Sequence, residues 1–436
     1  MSTPPATRAL RVTPVAGLAG ATALGLGLAV VLASHPPATA TVAAAFGVVG
    51  VLAFAAAQYE LMIAAGFLLF GVVRVEPAPS DALLAAAIAV AVVGGRVDLR
   101  RVPSTMLALL VLLLALNLLS MTAAPDLGDA LRFFSITLYL AALAIWLATY
   151  LQSAGRVRRV VGAYVAGAVA FAVVAVLALF VPFPGHDVLT GETVTRAQGL
   201  FKDPNVFGPF LIPAALILLE ETLRPRLFRL RRGTSGALLA VLVIGVVFAY
   251  SRAAWLNLAV AVLVMLVVMS LRAESGRRAA GALAVVAVVA GLGGGAVVAT
   301  GSVGFLQERA QVQSYDTVRF SAQRTGVQLA EEHVLGVGPG QFEHIQPVST
   351  HSLYVRVLAE QGILGLTTLV ALLAGTLVLA GANVAAGRDT YGVGSAVLLA
   401  AWCGILANSA FVDTLHWRHL WLVAALIWAA AMRPRR

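Results

Sequence analysis

Hydrophobic runs of roughly 15 to 22 residues follow one another along nearly the whole chain, and each is long enough to cross the hydrocarbon core of a bilayer as a helix. A backbone in lipid must satisfy its own N–H and C=O groups, and a helix does so within one segment. The expected fold is therefore all-α, a polytopic membrane helical bundle. Of the 436 residues, 60% are hydrophobic and 11% charged, which excludes a soluble globular protein. The runs fall at about 14–33, 41–57, 59–75, 81–95, 105–122, 131–151, 160–181, 205–222, 236–250, 253–271, 279–300, 361–381, 392–412 and 416–432. Several near the N-terminus are short or poorly separated, so the expectation is about 12–14 spans. Ala38-Thr39-Ala40 resembles a signal-peptidase site, but the apolar stretch before it is long for a signal peptide and opens a series of like segments, so it is read as the first span.

The net charge of +10 would raise the question of nucleic acid in a soluble domain. Here the basic residues sit in short connections between apolar runs, and their role is orientation. With the N-terminus in the cytoplasm, the inside segments hold Arg8 and Arg11, Arg96, Arg100 and Arg101, Arg156, Arg158 and Arg159, the cluster from Arg224 to Arg232, Arg272, Arg277 and Arg278, Arg388, and Arg433 to Arg436. These are two thirds of the 30 basic residues, as positive-inside orientation requires. Two loops on the opposite side are substantial, about 182–204 and about 301–360, the latter between the eleventh and twelfth predicted spans. Cys403 lies alone in an apolar run and has no intrachain disulfide partner.

Three polar clusters stand on that outer side. The first is Arg196 with Lys202-Asp203-Pro204-Asn205, where Asp203-Pro204 marks a helix start whose N–H groups suit an anion or simply a cap. The second is Ser251-Arg252, squeezed between two apolar runs, so that the guanidinium sits at the membrane boundary, as a functional group or snorkelling to headgroups. The third closes the long loop. Glu308 to Glu332 carries apolar residues at helical spacing, predicting an amphipathic surface helix with Arg319 and Arg324 on its flank. Gly336-Val337-Gly338-Pro339-Gly340 follows, a tight backbone-exposing turn without the lysine or spacing of a nucleotide loop. His351-Ser352 then begins a helix into the membrane. Capping by Thr350 or Ser349 would place His351 in its first turn, where the helix dipole and arginines lower the imidazole pKa. Arg356 and Glu360, four apart, can pair along that helix.

These motifs resemble the O-antigen ligase and O-antigen polymerase-related superfamily, polytopic enzymes that move lipid-linked glycans at the outer face of the cytoplasmic membrane. The resemblance rests on Arg196-x-x-Gly199 leading into Asp203-Pro204-Asn205, on Ser251-Arg252 with Trp255-Leu256, on Arg319 ahead of Gly336-x-Gly338-x-Gly340-x-Phe342, and on His351-Ser352 followed by Glu360, Gly362 and Gly365. It covers roughly residues 190 to 370; the N-terminal half matches only in hydropathy. It implies a metal-independent glycosyltransferase-like enzyme without cofactor, acting on a polyprenyl-diphosphate-linked glycan with a glycan, lipid or protein acceptor. His351 is the expected general base, with Arg196, Arg252 and Arg319 holding the diphosphate and Asp203, Asn205, Ser251, Ser352 and Glu360 in support. The chain divides into N-terminal membrane helices (1–181), a catalytic region (182–381) and C-terminal membrane helices (382–436). The expected location is the inner membrane, with the active face outside and both termini cytoplasmic if the span count is even. A protein O-oligosaccharyltransferase would share the donor. A transporter or flippase for a lipid-linked sugar would instead place ionisable residues at mid-membrane on paired broken helices.

Overall fold

The computed structural model describes residues 50, 57–74, 77–190, 196–271, 276–311 and 314–432. The first expected span and most of the second lie outside these residues, as do Arg8, Arg11 and the arginines of the C-terminal tail. Every apolar run from 59 onward coincides with one helix: α1 (Tyr59–Leu68), α2 (Pro79–Val93), α3 (Ser104–Ser120), α4 (Leu127–Tyr150), α5 (Ala154–Phe180), α6 (Pro204–Leu223), α7 (Arg232–Phe248), α8 (Arg252–Leu271), α9 (Gly276–Ala299), α13 (Leu353–Ala385), α14 (Ser395–Ser409) and α15 (Arg418–Ala431). Between α9 and α13 the long loop folds into α10 (Val303–Ala310), α11 (Ser314–Glu332) and the single turn α12 (Phe342–Ile345). The fold is an all-α bundle with no β-strand among the described residues. Among the described residues, six helices are long and apolar enough to span a membrane, and five more apolar helices are shorter, at 10–17 residues.

α6 is the central post. Of its span, 78% is buried inside the protein, against 28–44% for the other five. It packs on α7, α8 and α14, while α8 packs on α14, α13 on α3, and α15 on α4. The N-termini of α4, α6, α8, α13 and α15 meet at one end of the bundle, the end at which the long loop folds. Local sequence explains these starts: Asp126 accepts from the N–H groups of Gly128 and Asp129, Asp203 from Asn205, and the Ser251 hydroxyl from Ala254. Each cap satisfies orphan donors of the first turn.

α13 is two helices in line. Gly362 breaks it with φ 67° and ψ −171°, a conformation open to glycine and strained for any other residue. The break frees carbonyls that would otherwise be bonded within the helix. The glycine-rich turn supplies the missing donors: Val337 N–H donates to Ala359 O and Gly338 N–H to Glu360 O, each at 3.0 Å. Contact this close leaves no room for side chains. A Cβ on Gly336 would sit 2.3 Å from the Glu360 carbonyl carbon, and one on Gly362 would sit 2.0 Å from Val334 O. The turn read from sequence as backbone-exposing thus exposes its backbone to a helix.

The surface helix expected over 308–332 is divided between α10 and α11. α11 turns Ala322, Gly326 and Leu329 inward, towards α13.

Candidate active site

Three clusters far apart in sequence surround one cavity at this end of the bundle, with a volume of about 290 Å³. Arg252 from the start of α8, Arg319 from α11, His351 from the segment before α13 and Asn205 from the first turn of α6 all line it. Arg196 stands one contact behind. Its Nη2 donates to Asn205 Oδ1 at 3.1 Å and its Nε to Ala249 O at 3.0 Å. Asp203 in turn holds Asn205, accepting from its backbone N–H at 2.8 Å and its side-chain amide at 3.3 Å. The α6 start therefore caps the helix and also orients the amide that faces the cavity.

Arg252 is anchored on both sides. Its Nη2 meets Asp316 Oδ1 at 2.5 Å and its Nη1 donates to Gln311 O at 3.1 Å. Asp316, Arg319, Phe320 and Gln323 recur at helical spacing and present to the cavity a face of α11 that adjoins the one packed on α13. Gln323 also donates to Thr350 O at 3.1 Å, fixing the backbone next to His351. Phe411 and Val412, from the loop after α14, complete the wall.

His351 differs from its expected placement. α13 begins at Leu353 with Ser352 at the N-cap position, so His351 precedes the helix and is not in its first turn. Ser352 makes no side-chain cap bond, and Thr350 is a local brace whose hydroxyl accepts from the Ser352 N–H at 3.4 Å. His351 itself has φ 46°. A left-handed backbone at a non-glycine residue costs about 1–2 kcal/mol. It is held there by the buried residues on either side, Thr350 and Ser352. The expected direction of its pKa holds, with burial rather than the helix dipole as the leading cause. Burial acts first to push the imidazole below its ordinary value, and the Arg319 charge adds to it, while Asp203 and Asp413 act in the opposite sense.

Glu360 is not at the cavity. It is buried against Arg356, whose guanidinium lies 3.2 Å from it, 2.7 Å from Glu343 and 3.1 Å from Asp413. The Arg356 guanidinium also lies 4.9 Å from the centre of the Phe133 ring. Ser251 is likewise buried, capping the start of α8, and Ser352 is buried at the N-cap position of α13 without a side-chain cap bond. The Arg356–Glu360 pair was legible from spacing; Asp316, Glu343 and Asp413 were not. Asp316 is three residues from Arg319, a signal that points to one helix face, whereas nothing near Asp413 in sequence indicates its arginine.

Among the described residues, one grouping has cation-ligand geometry. Asp126, Asp129 and His344 place ligand atoms within 4.8 Å of one another, at the protein surface. His344 Nε2 lies 2.9 Å from Asp129 Oδ2, so the grouping also ties α12 to the start of α4.

The order and chemistry of these residues agree with one family. Residues 237–370 match the O-antigen ligase family model. The chain therefore carries a region similar to the O-antigen ligase family, which supports its likeness to the O-antigen ligase and polymerase-related superfamily. The matched region contains Arg252, Arg319 and His351, the glycine turn and the break at Gly362. Arg196 and the Asp203-Pro204-Asn205 start lie before it and join the ligase domain through the hydrogen bonds just described. No curated protein matches the chain.

Proposed function

We propose that this protein transfers or polymerises a polyprenyl-diphosphate-linked glycan at the outer face of the inner membrane. The observation that carries the reading is the gathering of Arg252, Arg319 and His351 around one cavity, with Arg196 braced behind Asn205. A glycosyl diphosphate already contains its leaving group. The reaction needs stabilisation of the departing diphosphate and removal of one proton from the incoming hydroxyl. Guanidinium groups serve the first need, because they keep their charge and match phosphate oxygens in a fork. A histidine held neutral serves the second.

His351 accepts the acceptor's hydroxyl proton as that oxygen forms a bond to the anomeric carbon. The bond from the anomeric carbon to the diphosphate breaks at the same time, and its electron pair leaves with the phosphate, against Arg252 and Arg319. Arg196 acts through Asn205 as a positioning residue. Such a displacement inverts the anomeric centre and draws on no metal. Arg252 is paired with Asp316, so a diphosphate that takes the fork competes with that carboxylate.

The test separates binding from chemistry, using purified full-length protein and a fluorescent polyprenyl-diphosphate sugar. His351→Ala should lower transfer by about 10²- to 10⁴-fold while leaving donor affinity nearly intact. Arg252→Ala should lose donor binding and transfer together, and Arg252→Lys should keep part of both, since it retains a point charge without the fork. Each variant is first shown to accumulate normally in the membrane. A His351→Ala protein that transfers at close to the parental rate would remove the histidine from the reaction.

A further inference from the structure

Arg252 faces the arginine cavity already engaged. Its Nη2 meets Asp316 Oδ1 at 2.5 Å, the two side chains being 31% and 10% exposed, and its Nη1 donates to Gln311 O at 3.1 Å. Both terminal nitrogens, the ones that would fork a phosphate, thus hold oxygens of the protein itself. Asp316 stands in the first turn of α11. The rest of that helix is fixed further along: Gln323 donates to Thr350 O, Ala322 is fully buried, and a Cβ on Gly326 would lie 2.7 Å from the Val355 side chain. The carboxylate can therefore leave Arg252 by a rotamer change of its own short side chain, with α11 staying in place.

The reaction changes the charge that Arg252 has to hold. When the bond from the anomeric carbon to the diphosphate breaks, its electron pair stays on the phosphate oxygen. The leaving polyprenyl diphosphate therefore carries one more negative charge than the donor's diphosphate did. Guanidinium groups placed to stabilise that developing charge also hold the product more tightly than the substrate. A site of this kind slows its own next turnover, because product release becomes the slow step. A carboxylate displaced from Arg252 acts in the opposite sense. Asp316 is 7% exposed, and a buried carboxylate separated from its cation is costly. Every diphosphate on the Arg252 fork is thus opposed by the tendency of Asp316 to return.

We infer that Asp316 is an internal counterion that competes with the diphosphate for Arg252 and expels the polyprenyl diphosphate product after transfer. The inference rests on the reading of Arg252 as a diphosphate ligand. Asp316 plays its part through Arg252 and not at the anomeric carbon. A carboxylate beside an arginine can instead orient the guanidinium for its ligand, and the two roles differ in sign. An orienting carboxylate strengthens diphosphate binding, whereas a competing one weakens it and is needed for release. The contact made here favours competition, because a carboxylate that orients leaves the terminal nitrogens to the ligand, and Asp316 takes one of them.

Full-length protein in maltoside micelles, which carry no phosphate, is titrated with a short-chain polyprenyl diphosphate. Transfer is then followed through the first turnover and into the steady state. Asp316→Asn and Asp316→Ala should each bind the diphosphate about tenfold tighter, as expected for the loss of one competing charge-assisted contact. With saturating donor both should complete the first turnover at close to the parental rate and then settle to a steady state roughly tenfold slower, since affinity changes of this kind fall mainly on the dissociation rate. Asp316→Glu keeps the charge and should restore both properties. Diphosphate binding no tighter than the parent's in the Asn and Ala variants would overturn the inference, as would tighter binding with undiminished steady-state turnover. Arg252→Ala separates this role from the reading beneath it. Unchanged diphosphate affinity in that variant removes the arginine as a ligand, whereas a loss there with no gain in the Asp316 variants removes only the counterion.

Discussion

Replacing Arg356 with methionine removes one guanidinium that three carboxylates share. Methionine keeps the length and helix propensity of the side chain, so the change isolates charge. The three partners do not weigh equally. The Glu360 side chain is 5% exposed, whereas those of Asp413 and Glu343 are 17% and 37% exposed and recover part of their hydration. The dominant cost is a desolvated Glu360 without its cation, and removing one member of a buried pair costs about 3–5 kcal/mol. Unfolding by SDS titration in mixed micelles should show a loss in that range. The double variant Arg356→Met with Glu360→Gln removes the stranded charge and should recover at least half of it. The consequence reaches the cavity, because Arg356 ties α13 to the loop that carries Phe411 and Val412. Transfer should therefore fall with stability in the single variant and return in part in the double. A loss below about 1 kcal/mol, or a double variant no better than the single, would refute the view that this cluster is held by Arg356 against a buried acid.

Gly362→Ala should be far more damaging than an ordinary glycine substitution in a membrane helix, since it adds about 1–3 kcal/mol of backbone strain to a Cβ 2.0 Å from Val334 O. Gly381→Ala, where a Cβ meets nothing within 4 Å, is the matched control and should be neutral or stabilising in the same SDS titration. Transfer should lose activity towards acid as His351 becomes protonated, with a midpoint below the ordinary 6.5 because burial and Arg319 both disfavour the cation. Arg319→Gln removes the second cause and should move that acidic limb upward in a pH-rate profile at saturating donor; an unmoved limb would uncouple Arg319 from the histidine.

The helices were legible because their signal is local. An apolar run of span length has few alternatives in lipid, and capping residues such as Asp203 and Asp126 mark where each begins. The candidate site was legible in part for a related reason. Arg252 between two apolar runs and His351 at the end of a long polar loop are costly in those positions, and the cost makes them visible. Three features were not legible. The exact start of α13 depends on Thr350 bracing Ser352, a matter of one residue that moves His351 out of the helix. The use of the glycine turn depends on a helix break that hydropathy does not register. Asp316, Glu343 and Asp413 answer charges across the fold, and partner choice over such distances is tertiary.

The break in α13 also has a consequence for the order in which the chain is made. A helix interrupted at Gly362 exposes the carbonyls of Ala359 and Glu360, and the groups that answer them, Val337 and Gly338, are about twenty residues upstream. Those donors are synthesised before the acceptors. The interrupted turn can therefore close as soon as the segment emerges, with no distal segment to wait for. Arg356 is in the opposite position. Glu343 precedes it, yet Asp413 arrives only after α14 has been inserted. Closure of the helix is thus a local, early event, and the contact between Arg356 and Asp413 is late. The loop carrying Phe411 and Val412 is fixed to α13 only when the last hairpin of the bundle is in place.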